Sequence, residues 1–465
     1  MSRFLTLVCI LAIAALISAP AFAEVQNVKV SGDISVRGLF RDNYDLDKND
    51  VGNTTGANIS DNTDTYFMQA VGVNVDADLT DNVSTVVRLV SQRDWNDGRQ
   101  NNPSAANTSA FDVTLDAAYV TLKEMIYAPL TVTIGRQDLW FGQGLIVGAN
   151  QRNYNSSISA TEYTETTGFD AVKATIDLAP WKLDGIYSRL SDRTYTAAAS
   201  TGRKDLFGAN IGYKFDQYNA EAEAYYFGKT DKTLASHTNQ VNTYGLRGSL
   251  EPIAKLSIGA EGALQRGVYS DAGGINYDKT REIKAYAYDV YGKYNFSDVT
   301  WKPTLQLEWL SLSGEKNANT TGESTWHGWD AMYRGSYKTA IRDFQNVYYA
   351  TRARTGNTSS AWAQDSGLSN QNSLLVTGTV APMEDVTLKG AYGHFWLNEK
   401  PAAGSRGSLS AGDDVGDELD FVLTYDYTQD VSFGLLAGWF FPGNIFPSGQ
   451  NDTATDVVGT MKVAF

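Results

Sequence analysis

The sequence has little of several features that other classes of protein depend on. Its 465 residues include one cysteine and three histidines, which leaves no disulfide framework and little material for a metal site. There are 38 basic against 53 acidic residues, a net charge of −15, and this argues against a nucleic-acid partner. The longest apolar run, Phe4 to Ile17, is shorter than the roughly 20 residues of a membrane-spanning helix. We therefore expect no transmembrane helix.

The apolar run is typical of an export signal. Arg3 precedes it, and Ala21-Phe22-Ala23 follows with a small-x-small cleavage pattern. We predict that residues 1–23 are a secretory signal peptide and that residues 24–465 are one exported domain, because no linker or repeat divides them. Cys9 lies within the run and is expected to leave with the signal.

Aromatic residues and glycine are abundant, with 26 Tyr, 19 Phe, 10 Trp and 42 Gly, yet the mean hydropathy is only −0.30. This combination suits a transmembrane β-barrel, whose strands alternate between lipid and water and whose interfaces carry aromatic girdles. The last strand-like segment, 456–465, ends on an aromatic residue that shares a face with Val457, Gly459, Met461 and Val463. Phe465 resembles the terminal signal read by the barrel assembly machinery.

The chain contains about eighteen segments of alternating character, an even number as in bacterial barrels. Short connections are expected at 79–83, 126–130, 178–181, 216–218, 252–255, 297–300, 382–386 and 428–431. Long polar connections are expected at 43–64, 94–110, 139–167, 192–204, 230–240, 269–280, 313–372, 398–416 and 442–455. We predict an all-β, antiparallel up-and-down barrel with short periplasmic turns and long extracellular loops, in contact with the lipids and lipopolysaccharide of the bacterial outer membrane.

The period of two assigns strand faces, because the apolar residues of each alternation must meet lipid. Val28, Val30 and Leu307 are expected to face lipid. The predicted lumen carries both signs of charge. Its cations are Lys29, Arg37, Arg41, Arg88, Lys173, Lys214, Arg247, Lys293, Lys389 and Lys462. Its carboxylates are Asp33, Asp76, Asp116, Glu221, Glu223, Glu261, Asp289, Glu308, Asp420 and Asp426. A barrel of sixteen or more strands leaves an aqueous channel, so a pore is predicted.

Three motifs in the middle of the wall carry a family resemblance. They are Gly135-Arg136-Gln137, the segment Trp140-Phe141-Gly142 running to Leu145-Ile146-Val147-Gly148, and Gly168-Phe169-Asp170. Their order resembles that of the alginate export porin family, as does the segment from Arg88 to Trp95. The resemblance implies a monomeric barrel of about eighteen strands that passes an anionic polysaccharide through an arginine-rich lumen, without a cofactor.

The sequence departs from that family in the charge of its wall. The predicted lumen has as many carboxylates as cations, so a polyanion gains less from this wall than from a basic one. Arg136 shares strand parity with Ile134 and reaches the lumen only if a bulge at Gly135 changes the register. The alternative is an arginine at the rim that pairs with Asp138 or Asp170.

Other clusters give no catalytic or metal site. Asp45, Asp47, Asn49 and Asp50 lack the glycine position and the bidentate glutamate of an EF-hand, so a solvated acidic loop is expected. His237, His327 and His394 lie far apart and accompany no nucleophile motif. We expect neither an enzyme nor a cofactor.

The longest loop, 313–372, is rich in aromatic and basic residues. Its candidates for a constriction are Trp326, Trp329, Arg334, Arg342, Arg352 and Arg354. Stacking on sugar rings and pairing with carboxylates is one use for them. The other is packing, because a loop of this length that folds into the barrel must bury its own apolar groups.

We predict a passive channel for hydrophilic, anionic or saccharide solutes. Only residues 24–27 separate the signal from the first strand, which leaves no room for an energy-coupled plug domain. The alternative is a barrel that acts as an adhesin, or as a scaffold or sheath for a partner protein. Both interpretations allow for a periplasmic partner protein.

Overall fold

The computed structural model describes residues 27–44, 46, 63–95, 113–151, 158, 160–191, 203–232, 238–270, 280–317, 323–342, 369–403, 410–446, 448–449 and 451–465. The predicted signal peptide with Cys9, the acidic-loop residues Asp45, Asp47, Asn49 and Asp50, and His237, Arg352 and Arg354 lie outside these residues. No helix within the described residues is long and apolar enough to cross a bilayer.

Strands make up most of the described chain. The strands are β1 (Asn27–Asp42), β2 (Thr63–Thr80), β3 (Val83–Asp94), β4 (Thr114–Lys123), β5 (Leu130–Gln137), β6 (Phe169–Leu178), β7 (Trp181–Ser191), β8 (Lys204–Lys214), β9 (Glu221–Asp231), β10 (Asn239–Ile253), β11 (Leu256–Ser270), β12 (Thr280–Asn295), β13 (Thr304–Leu312), β14 (Thr325–Trp326), β15 (Gln371–Met383), β16 (Val386–Trp396), β17 (Asp414–Asp426), β18 (Val431–Pro442) and β19 (Ala454–Ala464). β14 is a two-residue strand within a loop, and the other eighteen form the wall.

Each wall strand pairs antiparallel with its neighbours, and β1 pairs with both β2 and β19, which closes the barrel. Closure leaves no free sheet edge along the paired registers, as a lipid environment requires. The eight short turns and nine long connections fall where the sequence predicted them. The predicted eighteen-stranded barrel is therefore confirmed.

The strand faces follow the alternation. Leu305, Leu307 and Trp309 of β13 expose 48%, 54% and 44% of their surface, whereas Glu308 between them is buried. Val28 and Val30 of β1 are likewise exposed. Exposed apolar side chains therefore form the lipid face, and the alternate residues turn into the lumen.

Arginine substitutions in β13 test this assignment. Leu307→Arg places a charge on the lipid face near the middle of the strand and is expected to destabilise the barrel by about 2 to 4 kcal/mol. Gln306→Arg is expected to cost under about 1 kcal/mol, because position 306 faces the lumen beside Glu308, to which Gln306 donates a 2.7 Å hydrogen bond. The measurement is a reversible folding titration in lipid. Equal losses at the two sites would show that the faces are misassigned.

The seam between β1 and β19 is closed by a backbone pair. Gly32 N donates to Phe465 O at 2.8 Å, and Phe465 N donates to Gly32 O at 3.0 Å. A Cβ at Gly32 would lie 2.6 Å from Cζ of Phe465, so only glycine leaves room for the ring there. The role of Phe465 as an assembly signal stays a prediction.

One strand leaves the wall early. β5 has only eight residues, compared with eighteen in β2, and Gly135 near its end has a φ of 128°, a conformation that favours glycine. The chain after Gln137 therefore turns inward, which places the described residues of the loop after β5, 138–151, 158 and 160–168, inside the barrel.

Candidate channel and constriction

Two loops meet inside the barrel. The loop after β5 and the loop after β13 form a short parallel contact between Val147 and Tyr333. Gly148 N donates to Tyr333 O at 2.8 Å, and Tyr333 N donates to Ile146 O at 2.9 Å. A Cβ at Gly148 would lie 2.9 Å from Cα of Gly335. The glycine of the Leu-Ile-Val-Gly motif thus permits close approach of the two backbones.

The loop after β5 spans the lumen. Near its start, Phe141 packs against Phe227 of β9, with ring centroids 5.0 Å apart. Near its end, Ile158 and Ala160 belong to a buried cluster with Leu39 of β1. One loop therefore contacts two separate parts of the wall and narrows the channel.

The described part of the loop after β13 also crosses the interior. Asp330 N donates to Gln265 Oε1 of β11 at 2.9 Å, and Gln265 Nε2 donates back to Asp330 O at 2.7 Å. Farther along, Glu418 of β17 accepts hydrogen bonds from the backbone N of Ile341 at 2.5 Å and of Arg342 at 2.7 Å. Carboxylates and amides of the wall thus fix this segment at both ends.

A buried ion pair anchors its middle. Lys338 Nζ lies 2.7 Å from Glu308 of β13 and 3.7 Å from Asp289 of β12. Burial lowers the pKa of Lys338, but the carboxylates of Glu308 and Asp289 outweigh this and raise the pKa above its usual value. The lysine therefore carries the charge that offsets two adjacent wall carboxylates.

The aromatic candidates of this loop are packed rather than open to solute. Trp326 and Trp329 are 3% and 1% exposed, and Trp326 stacks on Tyr269 with ring centroids 4.2 Å apart. Arg342 Nε donates to Gln371 Oε1 at 2.9 Å. Arg334 Nε donates to Ser336 O within the loop at 2.7 Å. The two tryptophans and two arginines thus pack within the loop and against the wall.

Two predicted lumen arginines bind the loop after β5. Arg37 lies 3.3 Å from Glu165. Arg41 forms an ion pair with Glu162 and lies 3.5 Å from Asp456 of β19. The sequence did not identify Glu162 and Glu165 as partners, because strand parity assigns no orientation to loop residues.

Three other predicted lumen cations are paired along the wall. Arg88 lies 2.9 Å from Asp33, and Lys173 lies 3.6 Å from Asp184. Arg247 lies 2.7 Å from Glu221 and 2.5 Å from Glu223. Their positive charge is largely offset by neighbouring carboxylates.

Three lumen-facing lysines have uncharged cross-strand neighbours. Lys293 of β12 lies opposite Ser257 and Gln306. Lys389 of β16 lies opposite Thr379 and Val422, and Lys462 of β19 lies opposite Ser35 and Ser432. Within the described residues none of the three forms an ion pair. All three lie in the periplasmic half of their strands, and we call them the basic arc.

The opposite part of the wall lines two cavities. One, of about 640 Å³, lies inside β2 to β6, and Asp76, Asp116, Asp138 and Glu165 line it with Arg88 and Lys173. The other, of about 690 Å³, extends from Trp140 to the turns after β6 and β8. Carboxylates outnumber cations in the lining of both cavities. This part of the wall is therefore acidic, in contrast to the basic arc. No group of His, Cys, Asp or Glu within the described ranges could hold a metal ion.

The Gly-Arg-Gln motif closes the end of β5. The registers of β5 with β4 and β6 are continuous through Gly135, so no inserted residue redirects Arg136. Its Nη1 lies 3.5 Å from Asp170 Oδ1, as in the rim alternative. Gln137 Nε2 donates to the carbonyls of three residues: Thr133, Gly135 and Ala171.

The other motif residues also have structural positions. Gly142 has a φ of 55° beside Arg247 and Glu261 of the wall. Phe169 is fully buried and meets the ring of Tyr333 edge to face, with centroids 5.6 Å apart. These residues hold the inward loop in place.

Comparison with known protein families confirms the resemblance found in the sequence. The sequence matches the alginate export family over residues 46–460. The chain belongs to the alginate export family. Comparison with curated protein sequences gives no significant match. Membership of the alginate export family and the closed barrel together identify a porin of the bacterial outer membrane, and this family consists of passive channels, not enzymes.

Solved structures with a similar fold are outer-membrane proteins of Pseudomonas aeruginosa. OpdK with vanillate has a TM-score of 0.53 at 12% identity, covering 94% of this chain and 99% of that one. OccK2 (OpdF) with glucuronate has a TM-score of 0.53 at 13% identity, covering 95% and 99%. OpdL has a TM-score of 0.54 at 9% identity, covering 94% and 99%. At these identities the similarity concerns the fold alone.

Proposed function

We propose that this porin passes small carboxylate-bearing hydrophilic solutes, in particular acidic saccharides, by diffusion. The observation that carries the proposal is the basic arc, whose lysines form no ion pair among the described residues. A lysine that is already paired offers little to a passing anion, whereas an unpaired one attracts it across an aqueous lumen whose low-dielectric wall focuses the field.

The narrowed lumen supports the same proposal. Two loops cross the interior and contact each other, which favours solutes of mono- or oligosaccharide size over bulky ones. The wall supplies both donors and acceptors, which suits a polyhydroxylated solute. Two similar structures contain glucuronate and vanillate, both of which carry a carboxylate.

The proposal predicts the ion selectivity of the pore. In planar bilayers under a KCl gradient, the variant Lys293→Gln, Lys389→Gln, Lys462→Gln is expected to shift the reversal potential toward cation preference, because it removes three positive charges from the lumen wall. Block of the current by glucuronate is expected to weaken in the same variant.

A matched control removes the same charge outside the lumen. Lys284 pairs with Glu282 on the outer face, and Lys316 and Lys400 pair with Glu399 and Asp413 in loops. The triple glutamine variant of these lysines should leave the reversal potential nearly unchanged. Equal shifts in the two variants, or none in either, would contradict the proposal. A folded, inserted protein without any current would instead favour the scaffold alternative.

A further inference from the structure

Trp140 differs from its neighbours in the inward loop. Its side chain is 53% exposed, whereas Leu139 and Phe141 on either side are 0% and 7% exposed. It lines the 690 Å³ cavity together with lumen residues of β6 to β9. A large aromatic ring is thus presented to an internal cavity and not packed into the loop.

The ring is held in one orientation. Trp140 Nε1 donates to Gly142 O at 3.1 Å. A Cβ at Gly144 would lie 2.6 Å from Cζ2 of Trp140, and a Cβ at Gly148 would lie 3.1 Å from Cζ3. The indole therefore lies against backbone that has no side chains. A ring fixed in this way loses little entropy when a ligand stacks on it.

A buried acceptor lines the same cavity. Asn210 of β8 is only 8% exposed, and its Nδ2 donates to Glu223 Oε2 at 3.3 Å. Its Oδ1 accepts no hydrogen bond from the described part of the chain. Buried carbonyl oxygens are almost always paired, so a hydroxyl donor from a ligand would complete this site.

The charged residues of the cavity favour a neutral ligand over an anionic one. Five carboxylates and three lysines line it. Lys173 lies 3.6 Å from Asp184, and the nearby Arg247 is bonded to Glu221 and Glu223. No surplus of positive charge remains for a ligand carboxylate, whereas carboxylates accept readily from hydroxyls. The volume lies within the usual range of ligand pockets, about 300 to 1,000 Å³.

We infer that this cavity is a binding subsite for an uncharged pyranose ring, which stacks on Trp140 and donates a hydroxyl to Asn210. The inference rests on the proposed passage of saccharides. The basic arc attracts the carboxylate of a solute, and the Trp140 cavity takes a neutral, hydroxyl-rich ring. The two sites lie on different parts of the wall.

Equilibrium binding tests the subsite independently of current. The full barrel is purified in a detergent without sugar groups and titrated by calorimetry with cellotriose and with trigalacturonate. In the variant Lys293→Gln, Lys389→Gln, Lys462→Gln, which lacks the basic arc, cellotriose is expected to bind at least as tightly as the uronate. Trp140→Ala is expected to weaken cellotriose binding by about five- to tenfold, and Trp140→Phe by less, because phenylalanine retains a stacking face. Asn210→Leu is expected to weaken it as well.

Trp95→Ala is the control, because Trp95 is also exposed but stacks on Phe67 outside the cavity. Heat-modifiable gel migration confirms folding of each variant. Unaltered cellotriose affinity in both Trp140→Ala and Asn210→Leu, or tighter binding of trigalacturonate than of cellotriose to the variant that lacks the basic arc, would overturn the inference. Either result would leave the reversal-potential test of the basic arc unaffected, so the two proposals fail separately.

Discussion

Deletion of residues 325–361 is expected to raise single-channel conductance in planar bilayers severalfold. The described part of this segment crosses the lumen and is bonded to the wall through Gln265, Lys338 and Glu418. Removing it opens the path between these anchors, and the freed wall carboxylates become hydrated. Their added negative charge is also expected to shift the reversal potential toward cations.

A cross-link provides the control for this prediction. A Cβ at Gly438 of β18 would lie 3.5 Å from Cβ of Ala340 in the loop, a spacing that suits a disulfide. The pair Ala340→Cys, Gly438→Cys should form the bond on oxidation and leave conductance at the level of the intact protein. Failure to cross-link, together with unchanged conductance in the deletion, would contradict the placement of the loop inside the barrel.

Lys338→Met is expected to lower the free energy of unfolding by more than Leu307→Arg does. It leaves Asp289 and Glu308 as buried neighbours without the cation that offsets them. Breaking a buried pair in this way costs about 3 to 5 kcal/mol. The free energy of unfolding is measured by reversible denaturant titration of the barrel in lipid.

The control is Lys284→Met, because Lys284 forms an exposed pair with Glu282 at 2.9 Å. Its loss should cost no more than about 1 kcal/mol. Adding Asp289→Asn and Glu308→Gln to Lys338→Met is expected to restore much of the stability, since the two carboxylates that the lysine offset are then neutral. Equal costs for the two lysines would show that Lys338 is not an anchor.

The wall of this protein was predictable from its sequence. Alternation of apolar and polar residues has the same period as the strand, so exposed Leu305, Leu307 and Trp309 identify the lipid face without any tertiary information. The lengths of the connections then separate turns from loops. The lumen position of Lys293, Lys389 and Lys462 follows from the same parity.

The constriction was not predictable in this way, because loops have no period. Only the tertiary structure decided that Trp326 and Trp329 are buried while Trp140 is exposed to a cavity. It also decided which lumen cations are paired, since Arg37 and Arg41 meet carboxylates more than 100 positions away. Strand pairing is a local, repetitive interaction that sequence patterning specifies, whereas the path of a loop across the lumen depends on contacts between residues distant in sequence. The sequence therefore determined the barrel and the sign pattern of its wall, and the packing of two loops decided where the channel narrows and which charges remain for a solute.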